Sequence, residues 1–287
     1  MRNYLIFLSI ALVSCFSCGG SSSTNSSYSP SSTNPERGLY INIDEVLGDT
    51  TKEQALLNFV QKNKITYLLF YGVRSVLNSS ASQKEALTLL VQKAKADYGV
   101  IQIGASVGGT ESAQKVIDYN SSIGNKIDVI NYECEYWNSN TNEDCPTFND
   151  YKTALTWIKN NAGTMLVEAY LTIDRSTAAE AAQIRPLLNR LLVAAYVEDP
   201  ADAFNSIRSW LSNFAPTNDS FEIWPIFNVG ATPTWYDDFM GNWIAEQPSI
   251  KEAMDTAEAT IKSDLEASFL SENINFTGYQ YYKYSLF

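Results

Sequence analysis

The sequence predicts a (β/α)8 barrel of the TIM type, and three observations lead there. About 250 residues follow from Arg37 onward, large for an ordinary domain but usual for a single α/β barrel. Within them, eight short and near-continuous apolar runs recur, the pattern of parallel strands covered on both faces. Segments of helical period fill most of the gaps, so strand and helix alternate along the chain. The competing open, doubly wound sheet would usually carry a Gly-rich phosphate loop after its first strand. Asp44-Glu45-Val46-Leu47-Gly48-Asp49 is not one.

The eight strands expected are Leu39–Ile43, Tyr67–Gly72, Val100–Ser106, Ile127–Glu133, Met165–Leu171, Leu191–Val197, Phe221–Asn228 and Gly278–Tyr282. Between them, Thr50 with Glu53, Ser82 with Glu85 and Ser249 with Glu252 each have the spacing of a capping box at a helix start. After Ser82, the residues Ala86, Leu87, Leu90, Val91 and Ala94 form one apolar stripe, stopped by Gly99. Ile250, Met254, Ala257, Ile261 and Leu265 do the same after Ser249. Residues 149–161 and 200–214 also read as helices, and 178–190 as a weaker one interrupted by Pro186. Glu198 and Asp199 suit the start of the helix at Pro200, since acids favour a first turn and proline its first position. Little chain follows the eighth strand, so the last helix is expected to be missing or vestigial.

Ahead of the domain, one positive charge (Arg2), an apolar run from Tyr4 to Val13 and small residues before a cysteine make an export signal over residues 1–14. The run is too short to span a bilayer, which needs ~20 residues. Leu12-Val13-Ser14-Cys15 resembles the lipobox of bacterial lipoproteins, with Cys15 as the lipidated residue and Cys18 as the alternative. An ordinary cleaved signal is the plainer option. Residues 15–36 then hold the anchor and a Ser/Thr/Asn-rich tether that cannot bury anything, and residues 37–287 the domain. This order implies an exported protein held to a bacterial membrane by lipid alone, with the outer membrane and cell surface as the expected address.

The net charge is −12, and −13 once Arg2 leaves, which argues against nucleic acid and anionic lipid as partners. Histidine is absent. That excludes Ser-His-Asp and Cys-His catalysis and any imidazole-ligated metal site; no metal and no cofactor are expected. Chemistry must rest on carboxylates, tyrosines, amides and backbone. Two cysteines lie in the domain, Cys134 and Cys145, either bridged, as an exported compartment permits, or free and buried.

In such a barrel the active site lies at the C-terminal ends of the strands. The fourth strand ends Asp128-Val129-Ile130-Asn131-Tyr132-Glu133-Cys134-Glu135-Tyr136-Trp137. Alternation places Asn131, Glu133 and Glu135 on one face, expected to line the mouth, and Tyr132 and Cys134 on the other. Two carboxylates this close raise one pKa, which keeps a neutral general acid available near neutral pH. Tyr132, Tyr170, Trp224 and Phe227 read as core, whereas Tyr136, Trp137 and Trp235 fall beyond strand ends, where an aromatic can stack on a sugar ring.

This segment resembles the strand-four signature of glycoside hydrolase family 18, Asp-x-x-Asp-x-Asp-x-Glu. Asp128 matches its first position and Glu135 its last, while Asn131 and Glu133 stand where active members have Asp. Ser106-Val107-Gly108-Gly109 matches the family's Ser-x-Gly-Gly motif at strand three. Tyr196 falls on the family's strand-six tyrosine, followed by Val197 in place of Asp. Tyr282 stands at strand eight where chitinases usually have Trp, a variant closer to the endo-β-N-acetylglucosaminidases.

The resemblance implies substrate-assisted hydrolysis of β-linked N-acetylglucosamine glycans, N-glycan core or chitooligosaccharide, with retention. Glu135 would be the acid/base, Glu133 the partner of the oxazolinium and Tyr196 a hydrogen bond to the acetamide. Asp128, Asn131, Ser106, Tyr136, Trp137 and Tyr282 would contact or support the substrate. Glu133 is one methylene longer than Asp, a misplacement that can cost about 10²-fold in rate. A weak or inactive relative that captures glycans therefore stays open beside the enzyme. A monomer is expected in either case.

Overall fold

The computed structural model describes residues 36–123, 127–138, 145–172, 176–215, 221–230 and 239–286. The export signal, Cys15, Cys18, the tether and Trp235 lie outside the described residues. Among the described residues no helix is long and apolar enough to cross a membrane.

Among the described residues nine strands form: β1 (Glu36–Asn42), β2 (Tyr67–Tyr71), β3 (Gln102–Val107), β4 (Val129–Tyr132), β5 (Leu166–Leu171), β6 (Arg190–Ala194), β7 (Phe221–Asn228), β8 (Ile274–Phe276) and β9 (Gly278–Tyr282). All pair in parallel, and β9 bonds to both β1 and β7 while β6 bonds to β7, so the sheet closes into the expected barrel. The last staff of the barrel is split. Its first part, β8, pairs with Phe221–Ile223 of β7, and its second, β9, with Ile226–Asn228, with Thr277 between them.

Helices α1 (Thr50–Asn63), α2 (Val73–Asn78), α3 (Ala81–Asp97), α4 (Thr110–Ile123), α5 (Phe148–Asn161), α6 (Ala178–Ile184), α7 (Pro200–Phe214), α8 (Gly241–Ala245) and α9 (Ile250–Glu266) form the outer layer. After β9 the described chain holds one 3-10 turn, Tyr284–Leu286, in place of a closing helix. Two expected caps move. α1 starts one residue early because the Asp49 carboxylate accepts from the Thr51 and Lys52 amides, and Glu53 binds the Gly48 amide. At α3, Ser80 caps the Gln83 amide, leaving Ser82 inside the helix. Ser249 does cap α9, and the full reciprocal box sits at α6, on Thr177 and Glu180.

Apolar side chains pack in two layers. The larger lies between barrel and helices, where Leu39, Ile41, Tyr132, Ile158 and Trp210 are buried. The smaller fills the barrel itself, from Tyr40, Tyr67, Leu69, Leu192, Trp224 and their neighbours. Two glycines make room inside. A Cβ on Gly104 would stand 2.2 Å from the Tyr67 hydroxyl, and one on Gly38 would stand 1.6 Å from the Gln280 amide oxygen.

The start of the barrel is clamped to its end. Arg37, at the base of β1, donates to both Glu258 oxygens at 2.6 and 2.7 Å, to Asp255 at 2.8 Å and to the Asn63 carbonyl at 2.8 Å. Tyr281 of β9 donates to the same Glu258 carboxylate at 3.0 Å. Each donor–acceptor pair is charge-assisted or fully buried, the class of contact whose loss is costly.

Candidate active site

Parallel strands bring their C-terminal ends to one mouth, and the residues that converge there come from β1, β3, β4, β5, β6 and β9. β4 stops at Tyr132, one residue before its expected end, yet the alternation of its side chains continues. The Glu133 amide donates to the Val107 carbonyl at 3.0 Å, which prolongs the pairing with β3 by one step. Tyr132 faces outward, 4.8 Å from the Tyr151 ring, and Cys134 also faces outward, bonded to Cys145. Asn131 and Glu133 face in. The bridge fastens the segment carrying Glu135 to the start of α5, whose cap is Thr147.

Ser106, the last inward residue of β3, donates its hydroxyl to Glu133 Oε2 at 2.7 Å. Burial pushes the Glu133 carboxyl above the usual carboxylate range; the Ser106 hydrogen bond opposes this, and the charges of Glu135 and Glu168 add to it. Glu135 is half-buried at the rim and accepts from the Asn138 side-chain amide at 2.9 Å. Tyr196 lies two residues past β6 and shares a hydrogen bond with Tyr170. Burial and the nearby Glu133 charge push the Tyr196 pKa well up, so it stays a neutral O–H group. Tyr282 stands edge-on to Tyr40, ring centroids 5.5 Å apart, and stacks on Tyr71 at 6.5 Å.

Two expected contacts are corrected. Asp128 is at the opposite end of the barrel, ahead of the first residue of β4. Its carboxylate accepts from the Ile103 amide at 2.7 Å and pairs with Lys95 of α3 at 2.6 Å, so it ties a helix to the barrel floor and cannot reach a sugar in the mouth. Tyr136 turns outward: its ring packs on Phe148 and Tyr151 and its hydroxyl pairs with Ser176 at 3.0 Å. Its neighbour Trp137 turns back toward the mouth, 6.5 Å from Tyr170.

The structure adds residues that the motif did not single out. Glu168 of β5 and Arg190 of β6 form an ion pair inside the barrel, with relative exposures of 0% and 3%. Glu168 also accepts from Asn131 Nδ2 at 2.8 Å and from the Tyr67 hydroxyl at 3.0 Å. The Arg190 guanidinium lies over Trp224 at 3.9 Å and over Tyr67 at 4.8 Å. The only sequence sign of them was a charge within or beside an apolar run. Among the described residues no group of acids or cysteines is arranged to hold a metal ion.

No family model matches the chain, and no curated protein matches it. Solved structures do match in fold. The chain superposes on a class V chitinase from Nicotiana tobaccum with a TM-score of 0.50, at 11% identity, covering 87% of this chain and 94% of that one. A glutamate-to-glutamine mutant of the tobacco enzyme, solved in complex with NAG4, matches at 10% identity with the same coverage and TM-score. The catalytic domain of a family GH18 chitinase from the fern Peteris ryukyuensis gives 0.51 at 11% identity, over 86% and 91% of the two chains. The GH39 enzyme from Xanthomonas axonopodis pv. citri gives 0.56 at 10% identity, over 88% of this chain and 60% of that one. The barrel is thus the fold of family 18 chitinases and related glycosidases.

Proposed function

We propose that this chain is a membrane-tethered glycoside hydrolase of the family 18 type, acting on β-linked N-acetylglucosamine glycans. The observation that carries the reading is the meeting of Ser106, Glu133, Glu135, Tyr196 and Tyr282 at one barrel mouth, in the strand order of the motif they resemble. The fold supports it, and one structure that shares this fold holds an N-acetylglucosamine tetramer.

In the reaction so assigned, the acetamide oxygen of the bound sugar attacks its own anomeric carbon. Glu135, at the accessible rim, gives its proton to the departing glycosidic oxygen. Glu133 lies deeper, between Ser106 and Tyr196, where a carboxylate stabilises the positive oxazolinium and Tyr196 donates to the acetamide. Glu135, now ionised, takes a proton from the water that reopens the ring, which restores the original configuration.

The test compares wild type with Glu135→Gln on chitotetraose and on an N-glycan. Turnover in wild type and a loss of at least about 10²-fold in the mutant, with binding kept, is the expected result. Unchanged turnover in Glu135→Gln would remove the acid assignment. One observation favours a second reading: Asn131, where a carboxylate is usual in the motif, has its amide engaged by Glu168. Glycan affinity without turnover in the wild type would make the protein a capture module.

A further inference from the structure

A row of register partners crosses four adjacent strands beneath the mouth. Ser106 of β3 is opposite Asn131 of β4, Asn131 is opposite Glu168 of β5, and Glu168 is opposite Arg190 of β6. The row is polar throughout and buried from Asn131 to Arg190, inside a barrel otherwise filled by apolar and aromatic groups. Isolated charges in such a place are expensive, so each must be held by its neighbours. Glu168 is held fully: Arg190, Tyr67 and Asn131 all donate to it.

That satisfaction fixes the direction of Asn131. Only the amide nitrogen can donate to Glu168, so Asn131 Oδ1 must turn to the other side. The other side is that of Ser106, whose hydroxyl already reaches up to Glu133. Asn131 Oδ1 is buried and has no hydrogen-bond partner among the described residues, although it needs one. The nearest polar group on its own strand face is Glu133, two residues on.

Resting on the family 18 reading of the site, we propose that Glu168 is a positioning residue: charge-paired with Arg190, it holds the Asn131 amide so that the unpartnered Oδ1 is kept as an acceptor beside Glu133. Oδ1 can then accept a hydrogen bond from Glu133 in its protonated form and loses that bond when Glu133 is ionised, without a second carboxylate on β4. The carboxylate that active members place there has moved one strand over, with an arginine to balance it. Glu133 is faced by Tyr40 from β1, Ser106 from β3, Tyr170 and Glu168 from β5, Tyr196 from β6 and Tyr282 from β9, with Glu135 on its own segment. Asn131 Oδ1 is the acceptor below it.

The experiment exchanges the two groups. Asn131→Asp sets two carboxylates against each other, Glu168→Gln takes away the charge paired with Arg190 and turns one of its two acceptor oxygens into a donor, and Asn131→Asp with Glu168→Gln restores one acid and one amide in reversed order. Each single variant is expected to lose about 10²-fold in kcat on chitotetraose with KM within threefold, the cost of misplacing a reacting group by about 1 Å. The exchange should recover at least tenfold of that. Singles that fold and keep kcat, or an exchange no better than the worse single, would overturn the proposal.

Melting temperatures separate this from folding defects, since a purely structural role lowers the melt and leaves kcat per folded molecule alone. If the wild type shows no turnover, it is the proposed function that fails. The row is then tested by 13C titration of the Glu133 carboxyl. Loss of the Glu168 charge must move its midpoint down, and an unmoved midpoint contradicts the proposal. Should Glu168→Gln not fold alone, the exchange variant carries the same titration, with the acid on β4 holding the midpoint up.

Discussion

At the scale of residues, the proton of the Glu133 carboxyl has a thermodynamic consequence. Burial raises its pKa, so the folded protein binds this proton more tightly than the unfolded chain does. The group therefore costs no stability below the ordinary value of 4.5. The cost grows as pH rises from there to the raised folded value, and is complete above it. Glu133→Gln removes the cost and is expected to melt higher than wild type at pH 7.5, by about 2–4 °C for each kcal/mol recovered. At pH 4 the two should melt together. Melting curves across pH check this, and parallel curves would contradict it. Ser106→Ala works the other way. It takes away the hydrogen bond that favours the anion, so its cost should extend to higher pH. Glu133, Glu135, Ser106 and Tyr196 were legible because they sit in a spaced motif at strand ends. Glu168 and Arg190 were not, because a charge inside an apolar run says nothing about its partner, and theirs lies on another strand. Asp128 was misplaced for a related reason: the motif gives its spacing, but only the short β4 shows that it lies at the floor.

Among elements, the seam between β1 and α9 bears the most exposed risk. Arg37 and Glu258 are both buried, at 6% exposure each, so removing Arg37 leaves Glu258 without its paired cation, and removing Glu258 leaves Arg37 to Asp255 and the Asn63 carbonyl. Arg37→Met or Glu258→Gln alone should destabilise by about 3–5 kcal/mol, and Arg37→Met with Glu258→Met by much less, since an apolar pair can replace a buried ion pair. Denaturant unfolding of the three variants decides it; equal losses in single and double would show that packing, not charge, holds the seam. The Cys134–Cys145 bridge closes a short loop of sequence separation 11 and should contribute about 2–4 kcal/mol. Most elements could be read in advance because their signals are local. β7 and β9 fall at the expected bounds, as does α7, where Asp199 caps the Ala201 amide and Pro200 takes the first position. The caps of α1 and α3 moved because Asp49 and Ser80 compete with Thr50 and Ser82 for the same orphan amides. The separate β8 had no signal of its own: three residues broken from β9 by Thr277 are too short for a period.

For the whole molecule, the proposed lipid anchor has to hold an acidic chain. The chain's net charge of −12, or −13 without Arg2, is repelled by anionic headgroups. The proposed anchor must then act through acyl chains alone, and a single chain gives only marginal, reversible binding, whereas more than one holds. The described fold starts at β1, where Arg37 is clamped by Glu258, Asp255 and the Asn63 carbonyl. Catalysis should not depend on the attachment. Cys15→Ser is therefore expected to move the protein wholly from the membrane to the soluble fraction while its turnover of a soluble chitooligosaccharide stays within about twofold of wild type, the anchor being an address and not part of the site. Cys18→Ser should leave it on the membrane; release by Cys18→Ser in place of Cys15→Ser would move the anchor to Cys18. If the double variant stayed membrane-bound, the lipid anchor would be the wrong account, and a contact made by the barrel itself would have to replace it.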